Sequence, residues 1–193
     1  MITPAAPSGA QARPLVAMVV TALLGTSQPV LAEALQLDGT PLMSSDGREL
    51  RFSAELFEAD ATIVSFTFTG CESVCPVSDL VMEGLAMRVS ASGREIGLLT
   101  FTIDPLGDNE DVLEMHRQGV GGAANRTWIT GDPRNVWRVL DKLGMPAGGD
   151  LAEHPAFYLA VSRGGVSSLR INEEQASFEV LLKGAAVVAQ EAE

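Results

Sequence analysis

The amino-acid sequence predicts an α/β fold: a sandwich with a mixed central sheet flanked by helices, preceded by an N-terminal hairpin. Strand-like and helix-like segments alternate along most of the chain, as in parallel sheets joined by helices. The alternation ends with two adjacent strands, joined by a Gly-Gly turn and followed by a helix. Apolar residues make up 46% of the 193 residues, which is enough for the core of one domain.

The first predicted elements are a hairpin and a strand. Residues 33–50 are polar and carry Asp-Gly turn signals at 38–39 and 46–47. Asp-Gly between short apolar segments is typical of a hairpin. Residues 61–68 are β-branched and aromatic, which predicts a buried strand.

The next elements are a helix and a second strand. Pro76 is favoured in the first turn of a helix, and the helical pattern runs from there to about Arg88, with Gly93 ending the unit. The apolar residues at helical spacing are Val77, Leu80, Val81 and Leu85. Residues 96–103 predict a strand that closes at Asp104-Pro105.

The remaining elements complete the alternation. Residues 110–118 predict a short helix that is acidic at its start and basic at its end, as the helix dipole favours. Helix 133–143 stops at Gly144. The other predicted elements are strands 127–130, 157–161 and 166–171 and a last helix, 173–189, with Phe178, Leu181, Leu182 and Ala185 inward.

Residues 1–32 have the layout of a secretory signal peptide. Arg13 is their only charged residue, residues 15–24 are apolar, and residues 30–32 are small or aliphatic, as a signal peptidase requires. A membrane-spanning helix needs about 20 apolar residues, so an uncleaved short anchor is the second interpretation. We expect the domain, residues 33–193, to be periplasmic or otherwise exported, and to meet a membrane only through an uncleaved N-terminus.

The formal net charge of −12 bears on the choice of partner. A strongly acidic surface repels nucleic acid phosphates and anionic lipid headgroups, so we expect no nucleic acid partner. It favours cationic partners or metal ions, although solubility alone accounts for it as well.

Cys71 and Cys75 are the only cysteines, and they lie between a predicted strand end and a predicted helix start. This junction faces the carboxyl edge of the strands, where open α/β sheets place their sites. The helix N-terminus lowers the pKa of a nearby thiol, although Glu72 partly opposes that effect. Two cysteines separated by three residues can close a disulfide or hold one soft metal ion. In an oxidising compartment they form a disulfide unless they are reduced or bound to metal.

His154 is the candidate third ligand. It precedes a strand whose loop we expect beside the cysteine loop, although a surface histidine is the simpler interpretation of His154 alone. Structural zinc needs four ligands, and the chain has two cysteines and two histidines. Copper(I) accepts two or three soft ligands, so two cysteines and a histidine suit it better. His116 fits a helix C-terminus and needs no metal.

Three segments resemble the Sco/SenC family. Residues 66–76, an aromatic strand that runs into Cys-x-x-x-Cys-Pro, are similar to that family's copper-site loop. Residues 102–108 resemble its "VDP…D" strand end, and residues 154–165 resemble its His-strand-Gly segment. A strand ending in Gly at 128–131 also fits, and together the matches cover residues 45–172.

The resemblance implies a thioredoxin-like fold and a copper-binding chaperone that helps to assemble the dinuclear copper centre of cytochrome c oxidase. The implied ligands are Cys71, Cys75 and His154. Asp104 would lie just outside the three metal ligands, unless it only forms the turn before Pro105. Asp108 is expected to cap a helix. The implied partners are a copper acceptor, such as cytochrome c oxidase subunit II, and a thiol reductant protein.

The second hypothesis is a thiol–disulfide oxidoreductase, because some family members act as reductases and the chain does not predict a classical enzyme. Cys71 would be the attacking thiol. Pro155 is similar to the cis-proline that thioredoxins place at their active site, or else it is a rigid strand start. Peroxiredoxins carry a threonine three residues before their reactive cysteine. Here Phe68 stands three residues before Cys71, so a peroxidase lacks support. The remaining alternative is a binding module with a structural disulfide.

The methionines are scattered along the sequence rather than clustered. Core packing is therefore expected for Met43, Met82, Met87, Met115 and Met145.

Overall fold

The central feature is one seven-stranded mixed sheet with helices on both faces, as predicted. The structure is a computed structural model that describes residues 34–72, 74–146, 148, 151 and 154–191. The predicted export segment, residues 1–32, lies outside the described residues. Within the described part of the chain, every helix is too short or too polar to cross a membrane.

The strands are β1 (Thr40–Ser44), β2 (Glu49–Phe52), β3 (Ala61–Thr67), β4 (Ile96–Thr102), β5 (Thr127–Thr130), β6 (Phe157–Ser162) and β7 (Ser168–Asn172). The helices are α1 (Cys75–Ser92), α2 (Glu110–Gly119), α3 (Pro133–Lys142) and α4 (Phe178–Gln190).

The sheet order is β2-β1-β5-β4-β3-β6-β7. Strands β3, β4 and β5 are parallel, whereas β6 pairs antiparallel with β3, Val64 lying opposite Leu159. The amino end of β6 therefore lies beside the carboxyl end of β3. This pairing brings the loop after β3 and the loop before β6 to the same edge.

The core has one layer on each face of the sheet, and β3 is buried throughout. Ile63 faces a cluster that includes residues of α1 and α4, whereas its neighbour Val64 faces a cluster that includes α3. Because successive strand residues point to opposite faces, a strand covered on both sides buries every residue, and the polar ones in β3 are small: Thr62, Ser65 and Thr67. The β-branched and aromatic residues at 61–68 suit this fully buried position.

Two predicted boundaries shift. The hairpin turn forms at Asp46-Gly47, where Gly47 has φ +81°, while Asp38-Gly39 precedes β1. The last helix begins at Phe178 rather than at residue 173, because the Ser177 side chain accepts a hydrogen bond from the Val180 N–H and caps it there.

Some predicted core positions are exposed. In α1, Leu85 is buried, but Val77 and Leu80 are 57% and 68% exposed. The methionine prediction is wrong for Met87 and Met115, which are 68% and 66% exposed. Helical spacing identifies a helix, but it does not say which of two apolar stripes the sheet covers.

Glu114 of α2 provides a pH test of stability. Its carboxylate accepts hydrogen bonds from Arg117 at 2.7 Å, Gln118 at 2.9 Å and Ser45 at 2.8 Å. Arg117, the largest influence, helps to lower the pKa of Glu114 to about 2. Because the pKa of Glu114 is lower in the folded than in the unfolded state, its carboxylate stabilises the fold at every pH above the ordinary carboxyl pKa. This stabilisation is lost as the pH falls toward 2.

We expect Glu114→Gln to lower the free energy of unfolding at pH 7 by about 1 kcal/mol, allowing for solvent screening. The difference between variant and wild type should shrink as the pH falls from 5 toward 2, measured by urea unfolding. A difference that is constant with pH would contradict the assignment.

Candidate metal centre

Cys71 and Cys75 lie at the junction of β3 and α1. Cys71 is half-buried in the loop, and Cys75 is the first residue of α1 and only 2% exposed. They form a disulfide with Cα atoms 5.8 Å apart. The Cys75 N–H donates to the Cys71 sulfur at 3.3 Å. This N–H belongs to the first turn of the helix, where backbone donors stabilise negative charge on sulfur.

His154 reaches the same edge because it lies three residues before β6. Its ring packs edge-on against Phe68, with centroids 6.0 Å apart. Its Nδ1 lies 3.3 Å from the Pro155 carbonyl oxygen, which can only accept a hydrogen bond. In the tautomer that makes this hydrogen bond, Nδ1 carries the proton and the Nε2 lone pair is left for a metal ion. The peptide bond before Pro155 is trans, so the likeness to a cis-proline is not found.

The structure brings the three predicted side chains together. One ligand atom each from Cys71, Cys75 and His154 lie within 4.8 Å of one another. Among the residues that the structure describes, this is the one such group of three or more Cys, His, Asp or Glu side chains. His116 is placed elsewhere, with Nε2 2.9 Å from Asp79 Oδ2. A four-ligand zinc site is therefore not formed from these cysteines and histidines.

A narrow cleft of about 10 Å³, lined in part by Cys75, His154, Tyr158 and Glu173, lies beside the site. That volume is close to what one water molecule needs. Burial raises the pKa of Glu173, and the nearby His154 opposes that rise. Burial also raises the pKa of Tyr158, to about 12. Glu173 was missed from sequence, because an acidic residue at a helix start is ordinary.

The two aspartates of the "VDP…D" segment have different surroundings. Asp104 accepts a side-chain hydrogen bond from the Gly107 N–H at 3.2 Å, as a turn-forming residue does. Its place near a bound metal stays a prediction. Asp108 does not cap α2, since Asn109 does so by accepting from the Val112 N–H at 3.0 Å. Asp108 is instead 1% exposed and binds the loop before Cys71.

A buried ionic network supports α1 one turn after Cys75, and the sequence did not reveal it. Arg126 donates to Asp79 Oδ1 at 2.6 Å and to Thr100 at 2.8 Å. Its guanidinium also lies 3.9 Å from the ring centroid of Trp128. Asp79 and Arg126 are 1% and 3% exposed. The sequence offered one sign of this network: Asp79 lies four residues after Cys75, on the same face of the helix as that inward-facing cysteine.

The arrangement supports two kinds of chemistry. When the disulfide is reduced, two thiolates and one imidazole converge, which are the donors that soft metal ions prefer. When it is oxidised, it can accept two electrons from a partner dithiol, which becomes a disulfide. Cys71 is the less buried of the two cysteines, so a partner can approach it more readily than Cys75.

Solved structures confirm the fold. A copper-bound ScoI structure from Arabidopsis thaliana is 17% identical, with a TM-score of 0.63, over 81% of this chain and 97% of that one. BsSco, a member of the Sco family of cytochrome c oxidase assembly proteins in which a disulfide switch was identified, is 18% identical. Its TM-score is 0.70, and the match covers 84% of this chain and 96% of BsSco. The predicted thioredoxin-like fold is thereby confirmed.

Sequence comparison identifies the family. A SCO1 protein homolog from Bacillus subtilis (strain 168) is 27% identical over 71 residues, or 37% of this chain. That match spans only 36% of the relative's length. The sequence model of SCO1/SenC matches residues 39–166, more than half of the chain, and the protein therefore belongs to the SCO1/SenC family.

Proposed function

We propose that this protein binds copper through Cys71, Cys75 and His154 and delivers it to, or prepares, the dinuclear copper centre of a respiratory oxidase. The observation that carries the proposal is the convergence of the three ligand atoms within 4.8 Å. The copper-bound relative from Arabidopsis and the assembly role of BsSco's family support it.

The donor set suits copper as a cargo. Two thiolates and a neutral imidazole satisfy copper(I) at low coordination number, whereas structural zinc requires a fourth protein ligand. Cys71 is half-buried, whereas Cys75 is fully buried, so a partner would approach the copper from the side of Cys71. An acceptor such as cytochrome c oxidase subunit II can then replace the ligands one by one.

Copper loading requires reduction of the Cys71–Cys75 disulfide. Two electrons from a thiol reductant protein break the S–S bond, and the reductant is oxidised to a disulfide. Export to the periplasm or a comparable compartment, by a signal peptide or a short anchor at residues 1–32, would place the protein where such disulfides persist.

The test compares copper(I) affinity of reduced wild type, His154→Ala and a control in the other histidine, His116→Gln. Glutamine keeps a hydrogen-bond donor for Asp79. We expect His154→Ala to weaken copper(I) by at least about 10-fold, and the control to match wild type, in titrations against a chromogenic chelator. Equal affinities in all three proteins would remove His154 from the site.

The second candidate function is reduction of a partner's disulfide. The observation behind it is the Cys71–Cys75 disulfide itself, which joins a half-buried cysteine to a fully buried one. The Cys71 thiolate would attack the partner disulfide and release one partner thiolate. Cys75 would then resolve the mixed disulfide and release the second.

Trapping distinguishes the two functions. Under the redox hypothesis, Cys75→Ser accumulates a mixed disulfide with a cysteine-bearing acceptor peptide, and His154→Ala retains full reductase activity. No trapped species on non-reducing gels would argue against this second function.

A further inference from the structure

Asp108 is a buried carboxylate that is held by neutral groups. Its side chain is 1% exposed, and among the described residues no Lys, Arg or His lies within ion-pair distance of it. A buried charge is costly unless hydrogen bonds satisfy it. The groups that satisfy this carboxylate therefore lock its position.

Those groups come from the ends of two neighbouring strands. The Thr69 N–H donates to the two carboxylate oxygens at 3.1 and 3.3 Å, and the Thr69 hydroxyl donates as well. The Thr102 hydroxyl donates to Asp108 Oδ2 at 2.6 Å. The end of a third strand, β5, contacts only the backbone of Asp108: the Thr130 hydroxyl donates to the Asp108 carbonyl oxygen at 2.6 Å.

Thr69 connects this carboxylate to the metal centre. It lies between Phe68 and Gly70, two residues before Cys71. The Phe68 carbonyl accepts from the Cys71 N–H at 3.1 Å, and the Phe68 ring packs against His154. A shift of Thr69 would therefore move the Cys71 sulfur and the support of the imidazole together.

We infer that Asp108 is a positioning residue, which acts through Thr69 to set the Cys71 sulfur in register with Cys75 and His154. Hydrogen bonds to an ionised acceptor are roughly twice as strong as neutral ones, so a carboxylate holds this loop more firmly than an amide. The copper part of the inference rests on the proposed function. The disulfide part does not, because proximity of the two sulfurs governs disulfide formation without any metal.

The experiment uses Asp108→Asn, Thr69→Val and Thr69→Ser, with Thr130→Val as the control. Thr130→Val removes a buried hydrogen bond to Asp108 but leaves Thr69 bonded. For each protein, the midpoint potential of the Cys71–Cys75 couple is measured in thiol redox buffers, beside copper(I) affinity and Tm.

We expect Asp108→Asn and Thr69→Val to make the disulfide about 10-fold easier to reduce, a rise of about 30 mV in potential. Copper(I) affinity should fall by about 10-fold. Thr69→Ser, which keeps the hydroxyl, should restore both values. Thr130→Val should lower Tm without moving either.

A fall in Tm with wild-type potential and affinity in Thr69→Val would reduce Asp108 to a structural role and overturn the inference. If Asp108→Asn does not fold, Thr69→Val and Thr69→Ser still decide the matter. A shifted potential in a set of proteins that do not bind copper, wild type included, would support the positioning role and refute the proposed function.

Discussion

Arg126→Ala is expected to lower the free energy of unfolding by about 3–5 kcal/mol, because it removes the cation that neutralises a buried carboxylate. Arg126 and Asp79 have side chains only 0% and 1% exposed, and their charged atoms lie 2.6 Å apart. Without Arg126, His116 remains beside Asp79, but the other carboxylate oxygen loses its donor. The loss is large relative to a typical stability of about 5–15 kcal/mol.

Arg134→Ala is the matched control for Arg126→Ala. Arg134 also approaches an aspartate, Asp132 at 3.6 Å, but its side chain is 86% exposed. Exposed ion pairs contribute about 0–1 kcal/mol, so urea unfolding should show little change in this variant. A loss below about 1 kcal/mol for Arg126→Ala would mean that water reaches Asp79, and that the network does not hold α1 in place.

Cys75→Ser is expected to remove high-affinity copper(I) binding, with a loss greater than about 100-fold. Removing a group that hydrogen-bonds to a metal ligand lowers metal affinity by about 10- to 100-fold. Here the ligand itself changes, from a soft thiolate to a hard, neutral hydroxyl. Cys75 is the first residue of α1 and 2% exposed, so the serine occupies the same place. Titration against a chromogenic chelator measures the effect.

Both proteins are titrated under reducing conditions, so that loss of the disulfide contributes to neither result. Ser78→Ala is the control, because Ser78 lies one turn further along α1 and lines the same cleft. It should bind copper(I) as wild type does. Retention of wild-type affinity by Cys75→Ser would show that the copper site does not use this sulfur.

The sequence predicted the features that depend on local chemistry. Strand β3 was visible because its residues are mostly β-branched and aromatic, as burial on both faces of a sheet favours. The cysteine loop was placed at a strand-to-helix junction, since Pro76 follows Cys75 directly. His154 was expected beside it from the α/β architecture alone. The structure supplies the reason, since β6 pairs antiparallel with β3 and so begins at β3's carboxyl end.

The features that sequence reasoning missed depend on distant contacts. Asp108 and Asn109 are adjacent and both can cap helices, and the contacts that hold Asp108 inward come from Thr69 and Thr102, 39 and 6 residues away in sequence. Asp79 and Arg126 are 47 residues apart in sequence and meet through packing of α1 on the sheet. Glu173 lies near His154 because β7 ends beside β6, which no local pattern shows.

The central claim is that two sulfurs and one imidazole nitrogen hold a single copper ion. X-ray absorption spectroscopy of the reduced protein loaded with one equivalent of copper(I) tests it most directly. The account predicts two sulfur scatterers and one imidazole nitrogen, with the nitrogen lost in His154→Ala. A sulfur-only copper centre in the wild type, or a nitrogen contribution that persists in His154→Ala, would contradict it.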